Sequence, residues 1–346
     1  MNSLFLFAHA VQDLLPLEVA ITFGLSLFIL SWVRPRRIVA LPQTGRRTAT
    51  LVWAGVAGSL LVVVVATAVS AIAVSTNDMS GFDGWWRRPA PLFAATLVVA
   101  AAALALRRIP LPALGERSIV PRRPWCAFAS RTLLWILGIL AALLALTSVW
   151  QIAIATTAPK DGPFFGNVPD YSSLPIYMAF NSGYGYLSGA GWPNHLATLV
   201  ALALAAAVFF AVLRTDANRP LFTRSSSPSV RSERELTARL VTFILLGGLI
   251  TTLGAVWMYT GSSGQALVGL DEQWVSDDQA YPRILVAGGY DAIARPMNLV
   301  GYALQGGGVA FLLRLSVDTA RAALATRRSR SAPAAEYETS TTGPRR

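Results

Sequence analysis

One stretch decides which solvent this chain needs: Leu51–Val74, LVWAGVAGSLLVVVVATAVSAIAV, which lies in a run from Thr48 to Asn77 without a charged residue. A helix rises about 1.5 Å per residue and a bilayer's hydrocarbon is about 30 Å thick, so roughly 20 apolar residues cross it. A soluble helix keeps a polar face, and this segment has none. It reads as a transmembrane helix, and comparable segments recur at Leu17–Val33, Ala90–Leu106, Thr132–Thr157, Leu196–Leu213, Leu240–Thr260 and Pro296–Leu313. The expectation is an all-α, polytopic helical bundle with seven transmembrane helices. Charged residues make up 14% of the chain, against roughly 25% in soluble domains, which fits lipid as the surroundings.

The net charge of +11 invites a nucleic-acid reading, but the placement of the charges argues against it. Of 29 basic residues, 24 fall in segments 34–50, 107–131, 214–239 and 314–346, which alternate with the other connections along the chain. By the positive-inside bias these segments face the cytoplasm, with the N-terminus outside and the C-terminus inside. The basic surplus is therefore a topological signal, and nucleic acid is not an expected partner. No Lys or Arg precedes Arg34, so the N-terminus lacks the basic start of a cleaved signal and is expected to be retained. The membrane domain is assigned to residues 1–318, with long outer loops at 158–195 and 261–295. Residues 319–346, polar and small, are expected to form a disordered cytoplasmic tail.

Small residues mark the expected helix contacts. Ala54 with Gly58 and Gly55 with Ser59 are small-xxx-small pairs, and Gly247, Gly248, Thr251, Thr252 and Ala255 extend the theme. In the last span Asn298, Gly301, Gln305 and Gly308 share one helical face. Two amides in hydrocarbon should point inward, either as glue between helices or as the lining of a substrate path. Gly306–Gly308 is a place where that helix is expected to loosen or kink. The outer loop carries Asp271, Glu272, Asp277 and Asp278, oxygen donors suited to a hard cation, though their spacing matches no EF-hand and a solvated face explains them as well.

Several chemistries are excluded or left unsupported. The single cysteine, Cys126, and two histidines, His9 and His195, cannot form a Cys/His zinc site, and neither a metal nor a cofactor is expected. The one lysine, Lys160, lies in a loop, so no last-helix amine can carry retinal. There is no Gly-x-x-x-x-Gly-Lys-Ser/Thr for a nucleotide. Gly185-Tyr-Leu-Ser-Gly189 is one residue too long for the rhomboid serine motif. An intramembrane enzyme acting on lipid would require outer acids such as Asp170 to converge with His195. No catalytic motif is present, so the chain is read as a non-enzyme.

The Arg/Pro-rich inner loops, the stretch Gly189-Ala-Gly-Trp-Pro193 before the fifth span, and the Arg-rich loop leading into the sixth resemble a group of uncharacterised bacterial multi-span membrane proteins. Members are often encoded beside an ABC-type ATPase and a GntR-type regulator, and the likeness covers residues 105–260. It implies a multi-pass protein of the bacterial plasma (inner) membrane, permease-like or accessory to an ABC-type transport or efflux system. A cytoplasmic ATPase subunit would then dock on 107–131 and 214–239, with Ser232–Leu240 either serving as a coupling helix or simply continuing into the sixth span. The alternative is a membrane sensor or envelope-assembly protein using its outer loops as a binding surface. The lipid bilayer is a partner under either reading, and homo-oligomerisation is compatible with both.

Overall fold

A computed structural model describes residues 17–32, 39, 46–75, 85–110, 117–118, 123–157, 164–165, 175, 177–180, 185–188, 192–222, 227–264 and 290–331. Eight α-helical segments account for most of them: α1 (Leu17–Leu30), α2 (Arg46–Trp53), α3 (Ser59–Ser75), α4 (Ala90–Arg107), α5 (Arg131–Ile154), α6 (Trp192–Ala217), α7 (Ser227–Gly264) and α8 (Asp291–Ser331). A π-helical turn, Ala54–Gly58, joins α2 to α3. Six helices are long and apolar enough to cross a membrane: α2–α3 taken together, α4, α5, α6, α7 and α8. The protein is an all-helical membrane bundle with small strands in its connections. α1, at 14 residues, is too short to count by itself.

Two long helices form the axis. At about 1.5 Å per residue α7 and α8 each exceed 55 Å, nearly twice a bilayer's hydrocarbon, so both project beyond it. They run antiparallel in backbone contact. A Cβ added to Gly254 would lie 2.8 Å from the Gly301 carbonyl oxygen, and one added to Gly308 2.8 Å from the Thr251 amide nitrogen. Gly261 meets the backbone of Asn298 in the same way, and Gly301 that of Met258. Small residues permit such proximity because no side chain separates the two backbones. On another side of α8, Gly306 faces Gly24 of α1. The triple glycine thus serves contacts in two directions within a helix that continues unbroken to Ser331.

The other helices surround this pair. The most apolar window of α7 is 89% buried, whereas that of α5 is 17% buried. Trp135, Ile139 and Leu146 of α5 are exposed accordingly. The π turn fits its glycines against neighbours: Gly55 against Thr319 and Leu240, Gly58 against Val98. The Ser316 hydroxyl donates to the Val56 carbonyl in that turn, at 3.3 Å.

α4 is tied at both ends. Thr252 Oγ1 of α7 accepts a hydrogen bond from the Leu92 amide, 3.2 Å, one of the N–H groups that a first turn leaves free. At the other end Arg219 donates to the Leu106 carbonyl and, at 2.6 Å, to that of Ile109. A cation on those carbonyls also opposes the negative end of the helix dipole.

The arginine-rich connections that follow α4 and α6 are joined. β1 (Arg117–Ser118) pairs antiparallel with β5 (Leu221–Phe222). The Asn218 side chain accepts from the Arg123 amide at 3.1 Å and donates to the Arg123 carbonyl at 3.3 Å. Arg234 is buried and donates to the carbonyls of Ala217 and Arg219, both at 2.6 Å. Arg47 pairs with Asp216 and donates to Thr237 at 2.8 Å. Burial, with the Arg47 charge adding to it and Asp216 opposing, draws the Arg219 guanidinium below arginine's ordinary value.

Two sequence expectations are answered here. Of the two readings of Ser232–Leu240, continuation into the span is the one observed, because α7 runs through it without a break from Ser227. Arg234 and Leu236 lie buried against the bundle, which holds that part in register with the span. Helix also extends past residue 318, where the disordered tail was expected to begin. Thr319 packs against Gly55, and Arg321 lies 3.8 Å from the ring centre of Trp32. Arg314 approaches the same ring at 3.4 Å and pairs with Asp318 at 3.2 Å.

At the opposite end of the bundle, part of the 158–195 connection forms a three-stranded sheet. β4 (Gly185–Ser188) lies between β2 (Phe164–Phe165), parallel to it, and β3 (Tyr177–Phe180), antiparallel. Thr156, just past α5, exchanges backbone hydrogen bonds with Tyr177 at 2.8 and 3.1 Å. Tyr177 and Met178 are buried, so this sheet is anchored onto the helix ends.

Candidate functional site

Buried hydroxyls in a bundle like this usually solve their hydrogen bonding locally. Thr96, Thr198, Thr242, Thr251 and Thr319 each donate to the carbonyl four residues back, at 2.7–2.9 Å. At the end away from the arginine-rich connections that pattern fails. Among the described residues, the buried polar atoms there without a hydrogen-bond partner include Ser148 Oγ, Gln151 Nε2, Trp192 Nε1, both ring nitrogens of His195, the Tyr259 hydroxyl and Thr260 Oγ1. Leaving such a group unsatisfied costs about 1–3 kcal/mol, so a cluster of them is the most anomalous feature of the molecule.

The cluster is assembled by helix ends. α5 supplies Ser148 and Gln151, three apart and on one face, with Thr147 beside them receiving the Trp257 indole N–H at 2.9 Å. The first turn of α6 supplies Trp192 and His195. The last turns of α7 bring Tyr259 and Thr260, and Tyr290 leads into α8. Arg88, before α4, lies across the Tyr259 ring at 3.2 Å, the geometry of a cation on an aromatic face. Tyr290 donates to the Thr260 carbonyl at 3.1 Å, and its ring meets Trp150 edge-on at 4.9 Å. Gln151 lies beside the Tyr290 phenol without a well-formed hydrogen bond from its Nε2. Burial pushes that phenol above its ordinary range, so it stays protonated.

His195 is the centre of interest. It is 1% exposed, and among the described residues Arg88 is the charged group whose field reaches it. Ser148, Gln151 and Thr260 are buried to the same degree. The arrangement offers hydrogen-bond donors from three helices to one region, bordered by aromatic rings. No group of three or more metal-ligating side chains occurs among the described residues.

The polar face read from the last span lies elsewhere. Asn298, Gly301, Gln305 and Gly308 all sit on α8, with Gly301 and Gly308 turned to α7. Asn298 donates to the Met258 carbonyl at 2.7 Å, and Gln305 donates to Ser70 of α3 at 3.3 Å. Asp271, Glu272, Asp277, Asp278 and Asp170 lie outside the described residues. Segments 107–131 and 214–239 meet through β1 and β5, as described above. Of the cluster itself, sequence reasoning singled out His195 alone. Ser148 and Gln151 in the last turns of an otherwise apolar span were the available signal for the rest. Compared with protein-family models, curated proteins and solved structures, the chain finds no match in any of the three.

Proposed function

We propose that the protein is a non-enzymatic, multi-pass receptor-like component of the bacterial plasma membrane that binds a small polar ligand in the cluster around His195. In this reading α1 completes a seventh crossing, the N-terminus is outside, the arginine-rich connections are cytoplasmic, and the cluster faces the exterior beneath the 158–195 loop. The observation that carries it is the set of buried, unpartnered polar groups converging from α5, α6 and α7. Hydrogen-bonding capacity held in place without a protein partner is what a ligand site has before it is filled. Support for a receptor over a permease comes from the α7–α8 contact. There Asn298 and Gly301 are engaged by the opposite backbone and do not line a passage.

The test is a thermal-stability screen of the purified full chain against sugars, amino acids, carboxylates and amides. At least one class is expected to raise the transition temperature of the wild type and to do so less in His195→Phe. A flat response across every class would remove the proposal. Reporter fusions at residue 346 test the orientation, and an extracytoplasmic signal would reverse it.

A second reading, an accessory subunit of an ABC-type system, is favoured by the joined arginine-rich connections. Strand pairing and the Asn218 and Arg219 hydrogen bonds make one fixed surface of what would otherwise be two separate loops, as a docking partner requires. Purification in mild detergent from the native host should then bring down a cytoplasmic ATPase. Its absence counts against this reading and leaves the receptor reading untouched.

A further inference from the structure

We propose that the arginine-rich end of the bundle carries a lipid-facing girdle, built by α4, α5 and α6, that selects anionic phospholipid headgroups in the adjoining leaflet. The three helices share one design. α6 packs against both α4 and α5, and each of the three turns an apolar stripe outward. Leu97 and Leu104 are exposed on α4, Trp135, Ile139 and Leu146 on α5, and Val200, Leu204 and Phe210 on α6. Each stripe then ends in an exposed arginine one helical turn beyond its last large apolar side chain: Arg108 after Leu104, Arg131 before Trp135, Arg214 after Phe210. Four residues are about 6 Å along the axis and return to the same side of the helix. An arginine placed there lays its apolar stem along the edge of the hydrocarbon and carries its guanidinium into the headgroup layer.

The three positions belong to one end of the molecule. Arg107 of α4 donates to Thr215 of α6 at 3.4 Å, and Asn218 ties the end of α6 to Arg123, in the segment that leads into α5. In that segment Trp125 is exposed and its ring lies 5.6 Å from that of Phe210, the kind of indole that gathers at a membrane boundary.

Charge selects the headgroup. Segments 107–131 and 214–239 hold twelve arginines against four acids, Glu116, Asp216, Glu233 and Glu235. With every one of those acids given an arginine of its own, eight arginines remain, so the surplus does not depend on how any single side chain is paired. A zwitterionic headgroup brings a cation with its phosphate and gains little from such a surface, whereas a net-negative phospholipid is drawn to it. Guanidinium also suits phosphate oxygens through paired N–H donors. A soluble acidic protein fits less well, because Arg108, Arg131 and Arg214 continue the faces turned to acyl chains.

The experiment is native mass spectrometry of the full chain from micelles containing equal amounts of phosphatidylglycerol and phosphatidylcholine. The wild type is expected to retain phosphatidylglycerol over phosphatidylcholine by at least about fivefold, and added millimolar glycerol phosphate should leave that ratio unchanged. Replacing Arg108, Arg131 and Arg214 together by Gln should bring the ratio to within about twofold of unity, while replacing all three by Lys should keep most of it. A control matched in charge, Arg231, Arg327 and Arg328 replaced by Gln, alters the parts of α7 and α8 that project past the hydrocarbon and should preserve the preference. Size-exclusion profiles identical to wild type establish that the variants fold. Equal retention of the two lipids by the wild type would overturn the girdle and leave these arginines to an acidic protein partner. An equal loss in the control would reduce the effect to net charge, and displacement by glycerol phosphate would make it a site for free phosphate; either result also overturns the proposal.

Discussion

At the scale of single residues, glycine behaves here as a contact and not as a weak point, with one informative exception. Gly301 lies against the backbone of Met258 in α7, so a Cβ there has no flexible side chain to displace. Gly301→Ala should cost about 1–3 kcal/mol, the usual range for overpacking, in equilibrium unfolding from mixed micelles. Gly138 in α5 has nothing within 4 Å of the same added atom. Gly138→Ala should therefore stabilise by about 0.5–1 kcal/mol through helix propensity alone, and the two variants should move in opposite directions. Tyr290 supplies a pH signature. Its folded-state value is raised by burial, so above about pH 10 the unfolded chain loses a proton that the folded one retains. Stability then falls with rising pH, by up to about 1.4 kcal/mol per unit. Tyr290→Phe should remove that component of the alkaline slope while leaving stability near pH 7 reduced only by its lost bond to the Thr260 carbonyl.

At the scale of elements, α4 shows how a short span is held. Its 18 residues barely cross a bilayer, and at each end a neighbour supplies the missing partner, Thr252 at the start and Arg219 at the finish. Arg219→Gln removes the charge and shortens the reach to Leu106 and Ile109. The expected cost is about 2 kcal/mol, with amide exchange accelerated in the last turn of α4, whose carbonyls Arg219 bonds, and unchanged in α5. Equal acceleration in both helices would mean global loosening and would contradict the capping role. The same residue shows what a sequence can hide. Charge placement identifies Arg219 as belonging to the arginine-rich side, but capping a helix more than a hundred positions upstream is a tertiary fact. So is the pairing of Arg117–Ser118 with Leu221–Phe222: two-residue strands leave no periodicity to read.

At the scale of the whole molecule, what the sequence made legible follows from strong local signals. Apolar runs the length of a bilayer located the long helices because no competing structure satisfies the backbone in hydrocarbon. The same runs concealed which helix is central, since α5 and α7 are both apolar and hydropathy does not distinguish lipid from protein as a neighbour. The small residues of α7 carried that information: Gly247, Gly248, Gly254 and Gly261 allow neighbours on more than one side. The candidate site was less legible, because its members are single polar residues at the ends of separate spans, brought together only by packing. Central and peripheral positions have a direct test. A carbene-generating probe dissolved in lipid labels side chains that face the acyl chains, whatever their intrinsic hydropathy. Labelling should be heavy on α5, at Trp135, Ile139 and Leu146, and close to background along Leu240–Val256 of α7, where Leu240, Ile244, Leu249 and Leu253 are almost fully enclosed. Substantial labelling of α7 would place lipid where α4 and α8 are packed here, and the arrangement that brings Ser148, His195 and Thr260 to one end would not survive it.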